Sequence, residues 1–325
     1  MNPRIPHRRP RKAAKKRMLI IVNPYATTVS DRLRNLVVYA LQGRFDVEAV
    51  STQAQDHATE LSREAREKGY DVVVAFGGDG TLNEVANGLA DSDVPVAILP
   101  GGSTNVVCRM LGIPNDVVDA TEHLLSLADD WQPRKIDLGR VDGRYFVFAC
   151  GVGIDATVVR RVDEHPKLKA RAGPYYYSWA GLSGFYRRYL LNAVRVRVEV
   201  RGEAVEGITA IVQNSDPFTY FANRPIRVCE GIAIDDGTLS LAVLKRAAQR
   251  DMPSLVSRLL SDRRSVVDHR QVAHFDDVTT ATVTSVSEDE EGAPRRFPVQ
   301  VDGDYIGDHT RVTLTSAPAA LTIVS

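Results

Sequence analysis

Cysteine is scarce: Cys108, Cys150 and Cys229 are the only three, and no two share a CxxC spacing. That excludes a disulfide framework or a cysteine-built zinc site, and a reducing compartment is the reading that fits. Long apolar runs are missing too. None approaches the ~18 residues of a membrane span, and the MLIIV run at 18–22 is shorter than the ~7–15-residue apolar core of a secretory leader. The expectation is a cytoplasmic protein. No GxxxxGK[ST] loop occurs, which excludes a Walker A site. In Gly78-Asp79-Gly80 the third glycine of a dinucleotide fingerprint would fall at position 83, which is Asn. His269 and His274 stand five apart with no third ligand residue, so they are read as surface or core residues, not as a metal site.

Net charge is also absent, with 41 basic and 41 acidic residues, but the balance conceals a split. Residues 1–17 carry eight Lys/Arg, three Pro and no acid, leaving 33 basic against 41 acidic residues in the body. Such an arm cannot bury a core, so disorder is expected. It reads as a solvated tail or as a tether to an anionic membrane, where each Lys/Arg is worth about 1 kcal/mol. No aromatic or groove-reading motif accompanies the charge, so nucleic acid is not expected as a partner.

What is present is alternation. Val- and Ile-rich runs at 18–23, 46–52, 71–78 and 94–100 alternate with helical patterns near 30–43, 57–68 and 81–90, with another after Gly102. Buried, non-alternating strands between helices imply a parallel, Rossmann-like sheet covered on both faces. Ligands of such sheets lie beyond the carboxyl ends of the strands. Three strand exits carry Gly- or Asn-rich punctuation: NPYATT, GGDGT and PGGSTN. After about residue 135 the texture changes. KIDLGRVDGRYFVFACGVG reads as two strands around an Asp-Gly turn, and later runs at 194–200, 208–214, 238–244, 278–284, 297–303 and 312–316 alternate or are β-branched. These predict antiparallel sheets packed as a sandwich or flattened barrel, interrupted by helices near 174–190 and 251–261. The expected division is a basic arm (1–17), an α/β nucleotide-binding domain (18–135) and a β-rich substrate domain (136–325), whose last element is free to return to the first domain.

FGGDGTLNEVANGL (76–89) is the densest motif. Its glycines let backbone N–H groups approach a phosphate closely, and the following helix adds its partly positive N-terminus. Asp79 conflicts with an anion unless Mg²⁺ lies between them or the acid orients the phosphate acceptor. The structural alternative is a tight turn with Asp79 as a helix cap.

These residues resemble the diacylglycerol kinase catalytic domain, shared with sphingosine, ceramide and bacterial lipid kinases. The resemblance rests on GGDGTLNEVANGL, on PGGSTNVVCRMLGIP after the next strand, and on the order of Asn-Pro, DDG and VDGD along the chain. It implies ATP in a cleft between an α/β domain and a β-sandwich domain. Asn23 and Thr52 would line the nucleotide pocket. Gly77, Gly78, Gly80 and Thr81 would hold the phosphates, Gly102, Thr104 and Asn105 would complete the wall, and Glu84 would sit behind it. Asp302 in VDGD matches the family's proposed base for the lipid hydroxyl, ionised at the ordinary Asp value of ~3.9. Asp79 would orient it or hold Mg²⁺ through water. Taken alone, VDGD reads as a hairpin turn. Asp236, and with it Asp235, would ligate a structural Mg²⁺, although two acids at a turn also read as a turn and nothing more. GVGID (151–155) matches a family strand end.

Three departures stand out: Val106 replaces a family Asp, NPYATT lacks the family's Ser-Gly, and Asp304 replaces a Glu. YYYSWAGLSGFYRRYL (175–190) holds seven aromatics and two Arg. It is either an amphipathic helix on the sandwich or a rim at which lipid enters. The resemblance thus implies a lipid kinase, peripherally bound to an anionic membrane, with diacylglycerol as first choice of acceptor and, as in some bacterial relatives, a homodimer as one assembly state. Sphingoid, ceramide or soluble acceptors remain open, as does a nucleotide- or lipid-sensing protein with little turnover.

Overall fold

The computed structural model describes residues 15–128, 130–153, 193–221 and 223–325. The arm at 1–14, the GVGID stretch beyond Gly153 and the aromatic stretch at 175–190 lie outside them. Four strands, β1 (Arg17–Val22), β2 (Asp46–Ser51), β3 (Val72–Gly77) and β4 (Val96–Pro100), pair in parallel in the order β2-β1-β3-β4. Every residue of β3 and β4 is buried, which is why their sequences read as unbroken apolar runs. Each Val or Ile taken out of water there contributes about 1.5–3 kcal/mol.

The helices are α1 (Asp31–Gln42), α2 (His57–Glu67), α3 (Asp79–Leu89), the short α4 (Val106–Met110) and α5 (Val117–Leu127). They pack in pairs, α1 with α5 and α2 with α3, and right-handed crossovers place the pairs on opposite faces of the sheet. Local chemistry starts two of them: Ser30 caps α1 through the Leu33 N–H, and Asp116 caps α5 through the Val118 and Asp119 N–H groups.

The β-rich half is a sandwich, as the strand texture predicts. One layer holds β5 (Arg134–Val141), β6 (Arg144–Phe146), β8 (Val196–Val200), β9 (Glu203–Gly207), β15 (Thr280–Ser285) and β18 (Arg311–Ile323). The other runs β14-β13-β10-β7-β16-β17, formed by Val272–Val278, Leu239–Leu244, Thr209–Gln213, Ala149–Gly153, Phe297–Val301 and Asp304–His309. A core including Phe146, Val198, Val212, Leu241, Phe297 and Leu314 fills the space between the layers. A small hairpin, β11 (Thr219–Phe221) with β12 (Arg224–Ile226), and α6 (Met252–Leu259) complete the described elements.

Two features depart from the sequence reading. The expected second strand of the KIDLGR hairpin is two strands: β6 stays with β5, whereas β7 belongs to the opposite layer. The chain turns this corner at Val147 and Phe148. Second, β18 runs 13 residues, not the five expected, and joins the two domains into one 10-stranded sheet. Its first half pairs with β15, and its last residues lie beside β4 through Ile323↔Val96. The crossing point is a bulge between Ala317 and Leu321 opposite β5, with Ala319 at φ +53°. Buried Asp137 staples it, accepting the Ala319 N–H at 2.7 Å and the Gly237 N–H at 2.5 Å.

Candidate active site

The carboxyl ends of β1, β3 and β4 converge, and their loops interlock at backbone distance. The Gly101 N–H donates to the Gly77 carbonyl at 2.7 Å, and the Thr28 N–H to the Gly101 carbonyl at 3.0 Å. A Cβ on Gly102 would fall 2.9 Å from the Gly78 Cα, and one on Gly77 would fall 2.3 Å from the Thr81 Oγ1. Side chains are therefore excluded because the two loops and Thr81 fill the space. Asn23 joins this wall: its Nδ2 donates to Thr81 Oγ1 at 3.2 Å. Its Oδ1 accepts the Tyr25 N–H at 3.0 Å, which builds the turn after β1 without the family's glycine. Thr52, at the end of β2, is tied to β1 through the Val22 carbonyl at 2.8 Å.

Helix α3 starts at this junction. Its first intrahelical bond is Leu82 N–H to the Gly78 carbonyl, so the Asp79, Gly80 and Thr81 N–H groups lie at the positive end of the helix, facing the loops. A phosphate fits there. Asp79 is not the cap of its own helix; Gly78 holds that position. The Asp79 carboxylate instead accepts the Val106 and Val107 N–H groups at 3.0 and 3.3 Å, fixing the next loop and the start of α4. Burial holds the Asp79 carboxyl above its usual range, with the Asp304 charge adding to the rise; the two N–H donors and Arg109 oppose it. Val106 is buried at the family Asp position and contributes its N–H, not its side chain.

Asn105, at φ +48°, clamps the third loop. Its Oδ1 accepts the Gly102 N–H at 2.9 Å, and its Nδ2 donates to the Gly102 and Asn115 oxygens, each at 2.8 Å. Thr104 lies half-buried at the loop tip. Glu84 faces away from the glycine loops: it accepts the Ala58 N–H at 3.0 Å and so holds the first turn of α2.

Asp302 and Asp304 reach the junction from the sandwich. Asp302 and Gly303, at φ +49° and +88°, form the two-residue turn between β16 and β17, as a type I′ hairpin requires. The turn and the site residue are thus one feature. Asp302 is 5% exposed. Its Oδ2 accepts Asn83 Nδ2 at 2.8 Å and the Val147 N–H at 2.7 Å, and its Oδ1 accepts the Phe148 and Ala149 N–H groups at 3.0 and 3.1 Å. The three backbone bonds hold the corner where the chain changes layers, and the fourth ties the turn to Asn83 of α3.

The expectation of an ordinary, available base at Asp302 is corrected on two counts. A carboxylate has about four acceptor sites, and all are taken. Burial also raises the carboxyl to about 6, against the pull of the four donors. The acid that meets the phosphate loop is Asp304: a Cβ on Gly80 would lie 2.7 Å from Asp304 Oδ2, so that carboxylate occupies the space which glycine leaves open.

Asp235 and Asp236 are each engaged by protein groups. Asp236 accepts the Ala233 and Thr238 N–H groups at 3.0 Å each and the Thr238 hydroxyl at 3.2 Å, while Asp235 lies 3.5 Å from the Arg134 guanidinium. Three of the four acceptor sites of Asp236 are thus taken by its own turn, so both acids have a structural role there without a metal. Among the described residues no group of three or more His, Cys, Asp or Glu side chains is placed to hold a metal ion.

Asn83, Asn87, Asp137 and Arg144 were missed by sequence reasoning. Asn83 and Asn87 lie one helical turn apart on α3 and both grip Tyr145 of β6. Their Nδ2 groups donate to its carbonyl at 2.9 and 3.0 Å, and Asn87 Oδ1 accepts its N–H at 2.9 Å. The signal was available: two amides at i, i+4 spacing in a helix whose other buried positions are mostly apolar.

A parallel α/β domain and an antiparallel sandwich, with a helix N-terminus and acids from both at their junction, define a two-domain kinase-type cleft. Residues 17–141 match the diacylglycerol kinase catalytic domain, and residues 149–325 the YegS C-terminal NAD kinase beta sandwich-like domain. The chain belongs to this diacylglycerol-kinase-like lipid kinase family. It is 26% identical over 299 residues to a diacylglycerol kinase of Staphylococcus saprophyticus, covering 90% of each chain. Against one from Staphylococcus aureus the figures are 26% over 302 residues, with 90% of this chain and 87% of the relative covered. A crystal structure of a diacylglycerol kinase from Bacillus anthracis superposes with a TM-score of 0.68 at 20% identity, covering 96% of this chain and 98% of that one. No helix among the described residues is long and apolar enough to cross a membrane.

Proposed function

We propose that the protein transfers the γ-phosphate of ATP to the hydroxyl of a membrane lipid alcohol, diacylglycerol first among them, giving the phosphorylated lipid and ADP. The observation that carries this reading is the Asp304 carboxylate against Gly80, beside Asp79 and the N-terminus of α3. The glycine loops and the first turn of α3 receive the phosphates, with Asn23, Thr81 and Thr52 forming the wall on the β1–β2 side. Asp304 receives the proton of the lipid hydroxyl as its oxygen bonds to phosphorus. Asp302 holds the turn that carries Asp304.

Asp79 fits a hard divalent cation, since each of its oxygens accepts one N–H and keeps a lone pair, and the nearby Asp304 charge already raises its carboxyl. Asp79 would hold Mg²⁺ through water, and the ion would supply neutralisation of charge on the transferring phosphate. Peripheral attachment to an anionic membrane through the basic arm belongs to the same proposal.

Two measurements test it. Labelled γ-phosphate from Mg-ATP, offered with diacylglycerol, ceramide and sphingoid bases in mixed micelles, should appear in phosphatidic acid. Label in another lipid replaces the acceptor, while ATP binding without any labelled lipid favours a sensing protein. Gly80→Ala should leave Tm close to wild type, because the added Cβ meets the end of the Asp304 side chain rather than backbone. It should nevertheless slow transfer by about 10–100-fold, the scale of an ångström-sized misplacement, by displacing Asp304. Unchanged transfer in that variant would remove Asp304 from the mechanism.

A further inference from the structure

Asp56 breaks a local rule. It stands at the N-cap of α2, where Asp ordinarily accepts an N–H of its own helix, yet its carboxylate makes no capping bond and its φ is +63°. Glu84, from the neighbouring helix, takes over an N–H of the first turn at Ala58. The Asp56 Oδ1 is turned instead to Arg144 Nη1 at 3.0 Å. Left-handed backbone at a non-glycine residue and a forgone cap both cost energy, and the Asp56 carboxylate makes its contact with β6, beyond the helix itself.

Arg144 spans the gap. Its Nη2 donates to Asn83 Oδ1 at 3.1 Å, and its Nε is buried without a hydrogen-bond partner. That contact joins the Asn87 Nδ2, 3.2 Å from Asn83 Oδ1, and the Tyr145 carbonyl, 2.9 Å from Asn83 Nδ2, in setting the Asn83 amide with Nδ2 toward Asp302 Oδ2, 2.8 Å away. The reversed amide would set an oxygen against a carboxylate. Asn83 is fully buried, so its orientation is decided by these partners and not by water.

We propose that Arg144 is a positioning residue that couples the β2–α2 loop (residues 52–56), on the nucleotide side of the cleft, to the Asp302–Asp304 turn on the acceptor side. The path is Asp56, Arg144, Asn83, Asp302 and then Asp304, and every step to Asp302 is a hydrogen bond of 2.8–3.1 Å. A nucleotide that fixes the loop after Thr52 therefore also fixes the acid turn. The inference rests on the reading of Asp304 given above.

The test compares wild type with Arg144→Met, which keeps a long apolar stem, and Arg144→Lys, which reaches one acceptor but not both. Hydrogen exchange is followed in peptides spanning 52–58, 134–141 and 300–306, with and without Mg-ATP, alongside transfer kinetics. In Arg144→Met, exchange at 52–58 and 300–306 should rise about tenfold while 134–141 stays protected. Mg-ATP should protect 300–306 in wild type and not in the variant. The kcat should fall about tenfold, the scale of a 1–2 kcal/mol coupling, with KM for ATP within about threefold of wild type and Arg144→Lys in between. Wild-type exchange at 300–306 in Arg144→Met overturns the coupling. So does a uniform rise across all three peptides with a large drop in Tm, which marks a merely structural role. Failure of wild type to transfer phosphate removes the kinase reading while the exchange comparison still decides the coupling.

Discussion

Asp304→Asn is expected to lower kcat by about 10²–10⁴, the usual contribution of a positioned base, with ATP affinity and Tm close to wild type. The amide is isosteric and should occupy the same space against Gly80, so the loss isolates the proton-accepting function from the shape of the turn. Single-turnover transfer from Mg-ATP in mixed micelles, paired with a direct ATP-binding titration, reads both quantities. A variant that retains more than about a tenth of wild-type kcat would return the role of base to another group.

Asp302→Ala is expected to act on a different quantity. Removing this carboxylate leaves the Val147, Phe148 and Ala149 N–H groups and the Asn83 amide without their acceptor. Stranded buried donors cost about 1–3 kcal/mol each before relaxation. The variant should lose several kcal/mol of stability, roughly the sum of those costs less what relaxation recovers, with activity falling as a consequence.

The pH dependence gives an independent check. Burial raises the Asp302 carboxyl from 3.8 in the unfolded chain to about 6 in the folded one, so the folded state holds this proton more tightly. The associated stability is complete below about pH 4 and is lost as pH rises through about 6, a total of about 3 kcal/mol. Asp302→Asn, which keeps one acceptor oxygen and cannot ionise, should flatten the fall in calorimetric stability between pH 4 and 6. An unchanged slope would mean that the carboxyl titrates as if exposed.

Much of this architecture is written in patterns that depend on neighbours in sequence. Apolar runs such as VVVAF mark β3, the Leu82, Val85, Ala86 and Leu89 spacing marks α3, and the Asp-Gly pairs at 142–143 and 302–303 mark two hairpins, all with positive φ in the structure. The glycine loops and Asn23, Thr81 and Asn105 were legible as a group because they follow strand ends. What was not legible depends on contacts between distant segments. Asp302 and Asp304 are two residues apart in the same turn, and only the fold shows that one is consumed by the 147–149 corner while the other meets Gly80. Arg144 and Asp56 look like solvent-facing charges until β6 lies against α3 and brings Arg144 within reach of both Asn83 and Asp56. Asp236 looks like a ligand in sequence, and only the fold shows its oxygens closing its own turn.

The strand at 311–323 has a consequence for how the polypeptide is made. The outer edge of β4 in the α/β domain acquires its partner only from residues more than two hundred positions later in the chain. On the ribosome, the first hundred residues therefore cannot settle as a finished unit and then wait for the rest. An open strand edge persists until residues 311–323 emerge, which is a hazard for pairing with other nascent chains. The cleft becomes complete only once the sandwich has been synthesised, so no partly made chain carries an assembled phosphate-transfer site.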